Sequence, residues 1–224
     1  MDLFKKSSFK LGFMSIVIVS ITACAPFEKK EADAEEVAQV VEREVDQPKE
    51  LNLEDYETEF SEYMFEGETE INIGDRHFLT EDKPENSAEE TVLLNYYYHI
   101  TGEYDQLSSI YGDNEALQIS ARNEKKRFDE HAYMREYVIH SLSTWSKEDF
   151  LESTYAERDM FRESVLEYQL PSFVIVQAEI FMEWNEVAYA RGPQLDNGDY
   201  SRYFLCGRTS EEDNWKIYEI YWNG

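Results

Sequence analysis

Residues 173–184 read FVIVQAEIFMEW, and this stretch decides the fold of the chain. Every second residue from Val174 to Trp184 is apolar, whereas polar residues such as Gln177 and Glu179 fall between them. A period of two predicts a long strand with one apolar face and one mixed face. Because an apolar face of this length must be covered by other elements, we expect the strand to lie in the core.

Three more strands are predicted after this one. They are expected at residues 187–191, 200–208 and 215–222. The dipeptide Asn197-Gly198 suits the two-residue type I′ turn of a hairpin, so short connections should join the strands. The C-terminal part of the chain therefore predicts a four-stranded antiparallel meander.

The residues before the meander have helical spacing. Ser87-Ala88-Glu89-Glu90 predicts a capping box with Ser87 as N-cap, and Gly102 is expected to end that helix. Further helices are predicted at residues 104–111, weakly at 128–142, and after a cap at Ser146. Helices that precede a meander must cover its apolar face. The fold class is therefore α+β, with N-terminal helices packed on a curved, four-stranded antiparallel meander.

The first 24 residues have the pattern of an export signal. Lys5, Lys6 and Lys10 precede an apolar run at residues 11–19, and small residues follow it. This order is typical of a secretory signal peptide, and the apolar run is too short to span a bilayer. Ile21-Thr22-Ala23-Cys24 resembles the lipobox of bacterial lipoproteins. The resemblance implies a signal peptide at residues 1–23 and lipidation of Cys24.

Lipidation has a physical consequence for the mature chain. Two acyl chains on Cys24 would bind the bilayer far more firmly than one, because each buried CH₂ contributes about 0.8 kcal/mol. We therefore expect a cell-membrane lipoprotein that is anchored on the extracytoplasmic side. The second cysteine, Cys206, then has no partner and is expected to be a small apolar residue in a strand.

An acidic segment follows the lipidation site. Residues 24–70 hold 17 acidic and four basic residues, and residues 25–50 contain few apolar side chains. Such a stretch buries too little surface to offset the entropy lost on ordering. We expect residues 24–84 to form a tether that is disordered at 25–50, and residues 85–224 to form the folded domain.

The second half of the tether has a different character. Leu53, Tyr56, Phe60 and Tyr63 recur at helical spacing and predict a helix over residues 53–66. One interpretation is that this helix docks on the domain. The alternative is an amphipathic helix that inserts into the groove of a partner protein, as in a structural subunit of an envelope complex.

Composition and motifs exclude several functions. The chain has 21 basic and 48 acidic residues, a net charge of −27, so it lacks the basic face of a nucleic-acid binder. No glycines stand two apart, and no zinc motif or G-x-S-x-G elbow occurs, so no cofactor and no metal ion are predicted. The strong acidity would instead favour cationic ligands, through steering.

The order of elements allows one comparison at the level of a family. The helix, the short helix at residues 102–107 and a meander ending in WKIYEIYW (215–222) are similar to nuclear transport factor two-like domains, especially those of lipoproteins from Gram-positive bacteria. The resemblance implies a cystatin-like α+β cone that encloses a pocket. Its members use this pocket for isomerisation, dehydration or ligand binding, or associate with other proteins, so the fold alone selects no function.

Within such a cone, aromatic residues are the candidates for the pocket lining. They are Tyr96, Tyr97, Trp184, Tyr189, Tyr203 and Trp222. No paired acid and base accompany them in the sequence, so we predict no catalytic residues. The sequence favours a non-catalytic module that binds a small ligand or an envelope protein; a lyase or isomerase that uses the cone is the alternative.

Overall fold

The computed structural model describes residues 51–153 and 155–222, the latter without the side chains of residues 155–158. Every described residue belongs to one compact unit. The predicted signal peptide, the lipidation site Cys24 and the spacer at 25–50 lie outside the described residues. Among the helices that are described, none has the length and apolar character needed to cross a membrane.

The domain combines a sheet with helices, as the α+β prediction requires. A 3₁₀ turn, Leu53–Asp55, comes first. The strands are β1 (Glu70–Ile73), β2 (Arg76–Thr80), β3 (Met134–Thr144), β4 (Ser172–Trp184), β5 (Gly198–Arg208) and β6 (Lys216–Trp222). The helices are α1 (Ser87–Thr101), α2 (Tyr104–Ser109), α3 (Glu115–Asp129), α4 (Lys147–Glu152), α5 (Tyr155–Tyr168) and α6 (Glu186–Tyr189).

The six strands form one sheet in chain order, from β1 to β6. All neighbours are antiparallel except β2 and β3, which run parallel. A parallel pair needs a long crossover, and helices α1, α2 and α3 supply it. Register shifts interrupt β3 twice and β6 once, and bulges of this kind bend a strand.

The strand predicted at 173–184 is β4, and its alternation has the expected result. Five of the six apolar residues on one face, from Val174 to Met182, are at most 1% exposed. Helix α1 covers this face, since the ring of Tyr96 lies 4.9 Å from that of Tyr137 in β3 and 5.9 Å from that of Phe204 in β5. Aromatic pairs at such distances add to the free energy of simple burial.

The weak helix predicted at 128–142 is wrong in its main part. Helix α3 ends at Asp129, and residues 134–144 form β3. Burial in β3 alternates from Tyr137 to Ile139, and both residues pair with β4. Short apolar runs fit both periods, and here the pairing with a long neighbouring strand decides between them.

The strand predicted at 187–191 and the hairpin after it are also wrong. Residues 186–189 form helix α6, because the side chain of Asn185 caps it by accepting from the amide of Ala188. Asn197 does not make the two-residue turn; its side chain accepts from the amide of Trp184 at 2.9 Å. The connection between β4 and β5 therefore spans residues 185–197.

Two of the three predicted helix signals are found in place. Ser146 and Asp149 form a reciprocal capping box at α4, and Gly102 ends α1 in the left-handed conformation, with a φ of 82°. The N-cap of α1, however, is Asn86 rather than Ser87, since the Asn86 side chain accepts from two backbone amides.

The region just before residue 84 contributes to the folded sheet. Strands β1 and β2 precede that boundary and belong to the same sheet as the rest. The predicted helix at 53–66 is reduced to the turn Leu53–Asp55, after which the chain is extended around Tyr56. Tyr56 is 3% exposed and forms a parallel bridge with Phe173, so a pairing with the long strand replaces the helix.

Candidate functional site

A cavity of about 460 Å³ lies between the helices and one end of the sheet. Its walls come from α1, α3 and the ends of β3 to β6, and the connection at residues 190–195 closes one side. Cavities of 300–1,000 Å³ are typical of sites for small organic ligands.

The floor of the cavity is largely apolar. Because side chains alternate along each strand, those that face α1 also face the cavity. The apolar and aromatic side chains that line it include Leu117, Met134, Met182, Trp184, Ile220 and Trp222. A ligand seated there would therefore bury an apolar body against the sheet.

Tyrosine hydroxyls add polarity to these walls. Tyr104, Tyr111 and Tyr137 all line the cavity. The Tyr111 hydroxyl donates to Oδ1 of Asn95 at 2.8 Å, which joins α1 to the chain after α2. Burial raises the pKa of Tyr137 to about 12, so this group is a neutral phenol at pH 7.

Arg202 of β5 is the most unusual group in the cavity. It pairs in register with Ala178 of β4 and so points from the apolar face of the sheet. Its Nε is buried and has no hydrogen-bond partner, and none of the ion pairs in the described residues includes it. Its Nη2 lies 3.9 Å from the sulfur of Met182, and its guanidinium carbon lies 5.7 Å from the ring centroid of Trp222.

The other charges on the cavity wall are paired. Arg127 binds Glu124 at 3.0 Å, and Arg191 binds Glu130 at 2.7 Å. Burial raises the pKa of the Glu124 carboxyl, and the charge of Arg127 opposes that shift. Since these pairs are neutral overall, Arg202 supplies an uncompensated positive charge to the cavity.

His99 of α1 is half-buried beside this charge. Burial, with a smaller contribution from the charge of Arg202, lowers the pKa of His99 to about 4. Its ring lies 5.8 Å from that of Tyr104 and 6.2 Å from that of Tyr137. The imidazole is therefore neutral at pH 7, when it can donate one hydrogen bond and accept another.

Two of the six predicted pocket residues line the cavity, namely Trp184 and Trp222. The other four do not. Tyr96 is fully buried in the core, Tyr97 packs on Phe78, Tyr203 packs on Trp145, and Tyr189 is 49% exposed on α6. Tyr189 lies away from the cavity because the strand expected there is a helix.

Arg202, His99 and Tyr137 were not predicted from the sequence as cavity residues, although they contribute to the polar character of the cavity. One signal for Arg202 was available. In β5 it lies between Tyr200 and Phe204 on one face, so it is a charged residue with aromatic neighbours on both sides along that face. A charge at such a position is seldom buried without a purpose or a partner. Cys206 itself is buried, as expected.

The chemistry that these groups allow is mainly binding. In the described part of the chain, no three His, Cys, Asp or Glu residues are grouped to hold a metal ion. The cavity carboxylate, Glu124, is bound by Arg127 rather than by a tyrosine or a histidine. The arrangement offers an apolar floor, neutral donors and one cation.

No protein-family profile matches this chain, and neither does any curated protein or solved structure.

Proposed function

We propose that this protein is a membrane-anchored extracytoplasmic lipoprotein whose α+β domain binds a small organic ligand without transforming it. In this proposal the domain is a nuclear transport factor two-like cone, the acidic segment before it is a spacer, and the lipid on Cys24 holds the chain at the membrane.

The cavity is the observation that carries the binding function. It has the volume of a small-ligand site, about 460 Å³, and combines an apolar floor with a few polar groups. Helix α1 and strands β3 to β6 build it together, which is the placement expected of a cone pocket. The bulges in β3 and β6 favour the curvature that a cone needs.

The contacts of Glu124 favour binding over catalysis. An isomerase or dehydratase needs a base that can reach the substrate, often beside a tyrosine donor. Glu124 lines the cavity, but its carboxylate is held by Arg127 at 3.0 Å. A base committed to an ion pair is a weak candidate for proton transfer.

The cavity can be tested with a neutral fluorescent probe, N-phenyl-1-naphthylamine, added to the detergent-solubilised whole protein. We expect saturable fluorescence enhancement. Ser120 lies on the exposed side of α3 at the edge of the cavity, so Ser120→Trp should block entry without disturbing the core. Ile119→Trp is the matched control, since Ile119 is 41% exposed and does not line the cavity.

The binding proposal is wrong if the probe does not bind, or if Ser120→Trp and Ile119→Trp bind it equally. The circular dichroism spectra of both variants should match that of the parent, which shows that any loss comes from the blocked entrance.

The anchor requires a separate test, because it depends on the lipobox at residues 21–24. Cys24→Ala should accumulate as an unprocessed precursor that incorporates no labelled palmitate. Cys206→Ala is the control and should be lipidated like the parent. A Cys24→Ala protein of mature size that still carries the label would contradict the anchor.

A further inference from the structure

We propose that the ligand of this cavity is an organic monocarboxylate with an apolar or aromatic body, whose carboxylate binds the guanidinium of Arg202. This inference rests on the proposed binding function and specifies its ligand class. It is carried by Arg202, a half-buried cation on the sheet side of the cavity whose buried Nε has no hydrogen-bond partner.

The positive charge of Arg202 is only partly compensated in the folded chain. Removing a cation from water is costly unless an opposite charge or several hydrogen bonds compensate for it. Arg202 is half-buried and receives little compensation from the described residues, because its buried Nε has no partner and its Nη2 lies 3.9 Å from a thioether sulfur. An anion in the cavity would supply the missing partner.

The guanidinium geometry and the charges of the lining indicate which kind of anion would bind. A guanidinium presents its N–H groups as a planar fork that matches the two oxygens of a carboxylate. The four charged side chains of the lining are Glu124, Arg127, Arg191 and Arg202, and the first three are engaged in pairs. One free positive charge suits a monoanion, whereas a dianion such as a phosphate monoester would remain half uncompensated.

The side chains next to Arg202 indicate the chemistry of the remainder of the ligand. Trp222 lies beside the guanidinium, and Met182 and Trp184 continue the apolar wall away from it. A carboxylate bound to Arg202 would therefore extend its substituent along apolar and aromatic side chains. The neutral groups of Tyr137 and His99 can donate hydrogen bonds to the carboxylate without adding charge.

The acidic surface of the protein does not oppose this assignment. A net charge of −27 slows the approach of anions and favours cations at the surface. Salt screens that surface repulsion, but it screens a buried ion pair much less. Added salt should therefore leave carboxylate affinity unchanged or raise it slightly, whereas binding of an anion to exposed lysines would weaken.

The test compares two probes of the same shape, 2-naphthoate and 2-naphthamide, by calorimetric titration of the detergent-solubilised whole protein. A charged hydrogen-bonded pair predicts that the carboxylate binds about 10- to 100-fold more tightly than the amide. Arg202→Met should abolish this preference while retaining the affinity for 2-naphthamide, and Arg202→Lys should keep part of it. Arg191→Met is the control, because it removes the same charge from a paired position on the wall.

Each result has a distinct meaning. Binding of 2-naphthamide without a preference for 2-naphthoate overturns the carboxylate assignment and leaves the binding function intact. A preference that survives in Arg202→Met, or that disappears equally in Arg191→Met, also overturns it. If neither naphthalene probe nor N-phenyl-1-naphthylamine binds, the binding function fails as well.

Discussion

The carboxylate of Glu89, in the first turn of α1, accepts hydrogen bonds from both the amide and the hydroxyl of Thr144 at the end of β3, each at 2.8 Å. It also accepts from the amide of Glu85 at 2.7 Å, although Glu89 is only 2% exposed. A buried carboxylate thus joins the start of the helical layer to the end of a strand.

Replacing this carboxylate should destabilise the domain. Glu89→Ala leaves the half-buried donors of Thr144 and the amide of Glu85 without this acceptor, which predicts a loss of about 1–3 kcal/mol in the free energy of unfolding. Urea denaturation of the variant measures it. Glu115→Ala is matched in position, since Glu115 is exposed in the first turn of α3, and should cost under about 1 kcal/mol. Equal losses would show that the Thr144 contacts contribute nothing.

The segment before the sheet gives a second prediction. The ring of Tyr56 lies 5.2 Å from those of Phe150 and Phe173, and its hydroxyl donates to the carbonyl of Trp145. Tyr56→Ala should therefore lower the free energy of unfolding by about 3–5 kcal/mol. Met64→Ala, at a residue 77% exposed, should change it by less than about 0.5 kcal/mol. A full-stability Tyr56→Ala protein would instead favour the interpretation that this segment binds a partner.

His99 predicts a pH dependence of stability. Its pKa is lowered to about 4 by burial, below the 6.5 expected in the unfolded chain, so the unfolded state binds more protons between these values. Stability should therefore fall as the pH drops from 7 to 5, by about 1–2 kcal/mol from this group. His99→Gln should show a shallower decline when urea midpoints are compared across this range.

His140 should act in the opposite direction. The hydrogen bond with Glu81 raises the pKa of this exposed histidine, and Asp199 adds to the effect. Its contribution is present at acidic pH and is lost as the pH rises through the raised value. His140→Gln should thus steepen the acid decline slightly, and salt should reduce the difference. If the stability of His99→Gln fell more steeply with decreasing pH than that of the parent, the lowered pKa assigned to His99 would be wrong.

Arg202 predicts that stability and binding oppose each other. Arg202→Met removes a half-buried cation whose buried Nε has no hydrogen-bond partner, so the ligand-free domain should gain about 1 kcal/mol. Thermal unfolding without ligand measures this gain. Arg208→Met, in the same strand, should instead lose stability, because Arg208 binds Glu57 at 2.8 Å. A destabilised Arg202→Met domain would mean that Arg202 already has adequate partners.

The longest alternation and two helix-end signals predicted their elements correctly. The alternation at 173–184 identified β4, and Ser146 and Gly102 marked helix ends correctly. Residues 134–144 and 186–189 were assigned wrongly because each run is short enough to fit either period. Pairing with β4, which is distant in the sequence, makes residues 134–144 a strand. Capping by Asn185 makes residues 186–189 a helix, and this local signal competes with the strand pattern.

The site was harder to predict for a related reason. Trp184 and Trp222 were predicted only as aromatic residues of the expected cone, together with four tyrosines that do not line the cavity. Arg202 becomes notable only when β5 is registered against β4 and the helices close over the apolar face. The charge balance of the cavity likewise depends on the pairs made by Arg127 and Arg191 across the fold.

The parallel pairing of β2 with β3 covers a strand edge that could otherwise pair with other molecules of this protein. Residues 77–80 occupy the hydrogen-bonding edge of residues 136–139, where Tyr137 and Ile139 are buried. Cleavage near residue 84 would release β1 and β2 and leave that edge open to strands of neighbouring molecules. A trimmed domain that starts at 85 would therefore be prone to aggregate, so the residues just upstream of α1 act as a built-in safeguard of solubility.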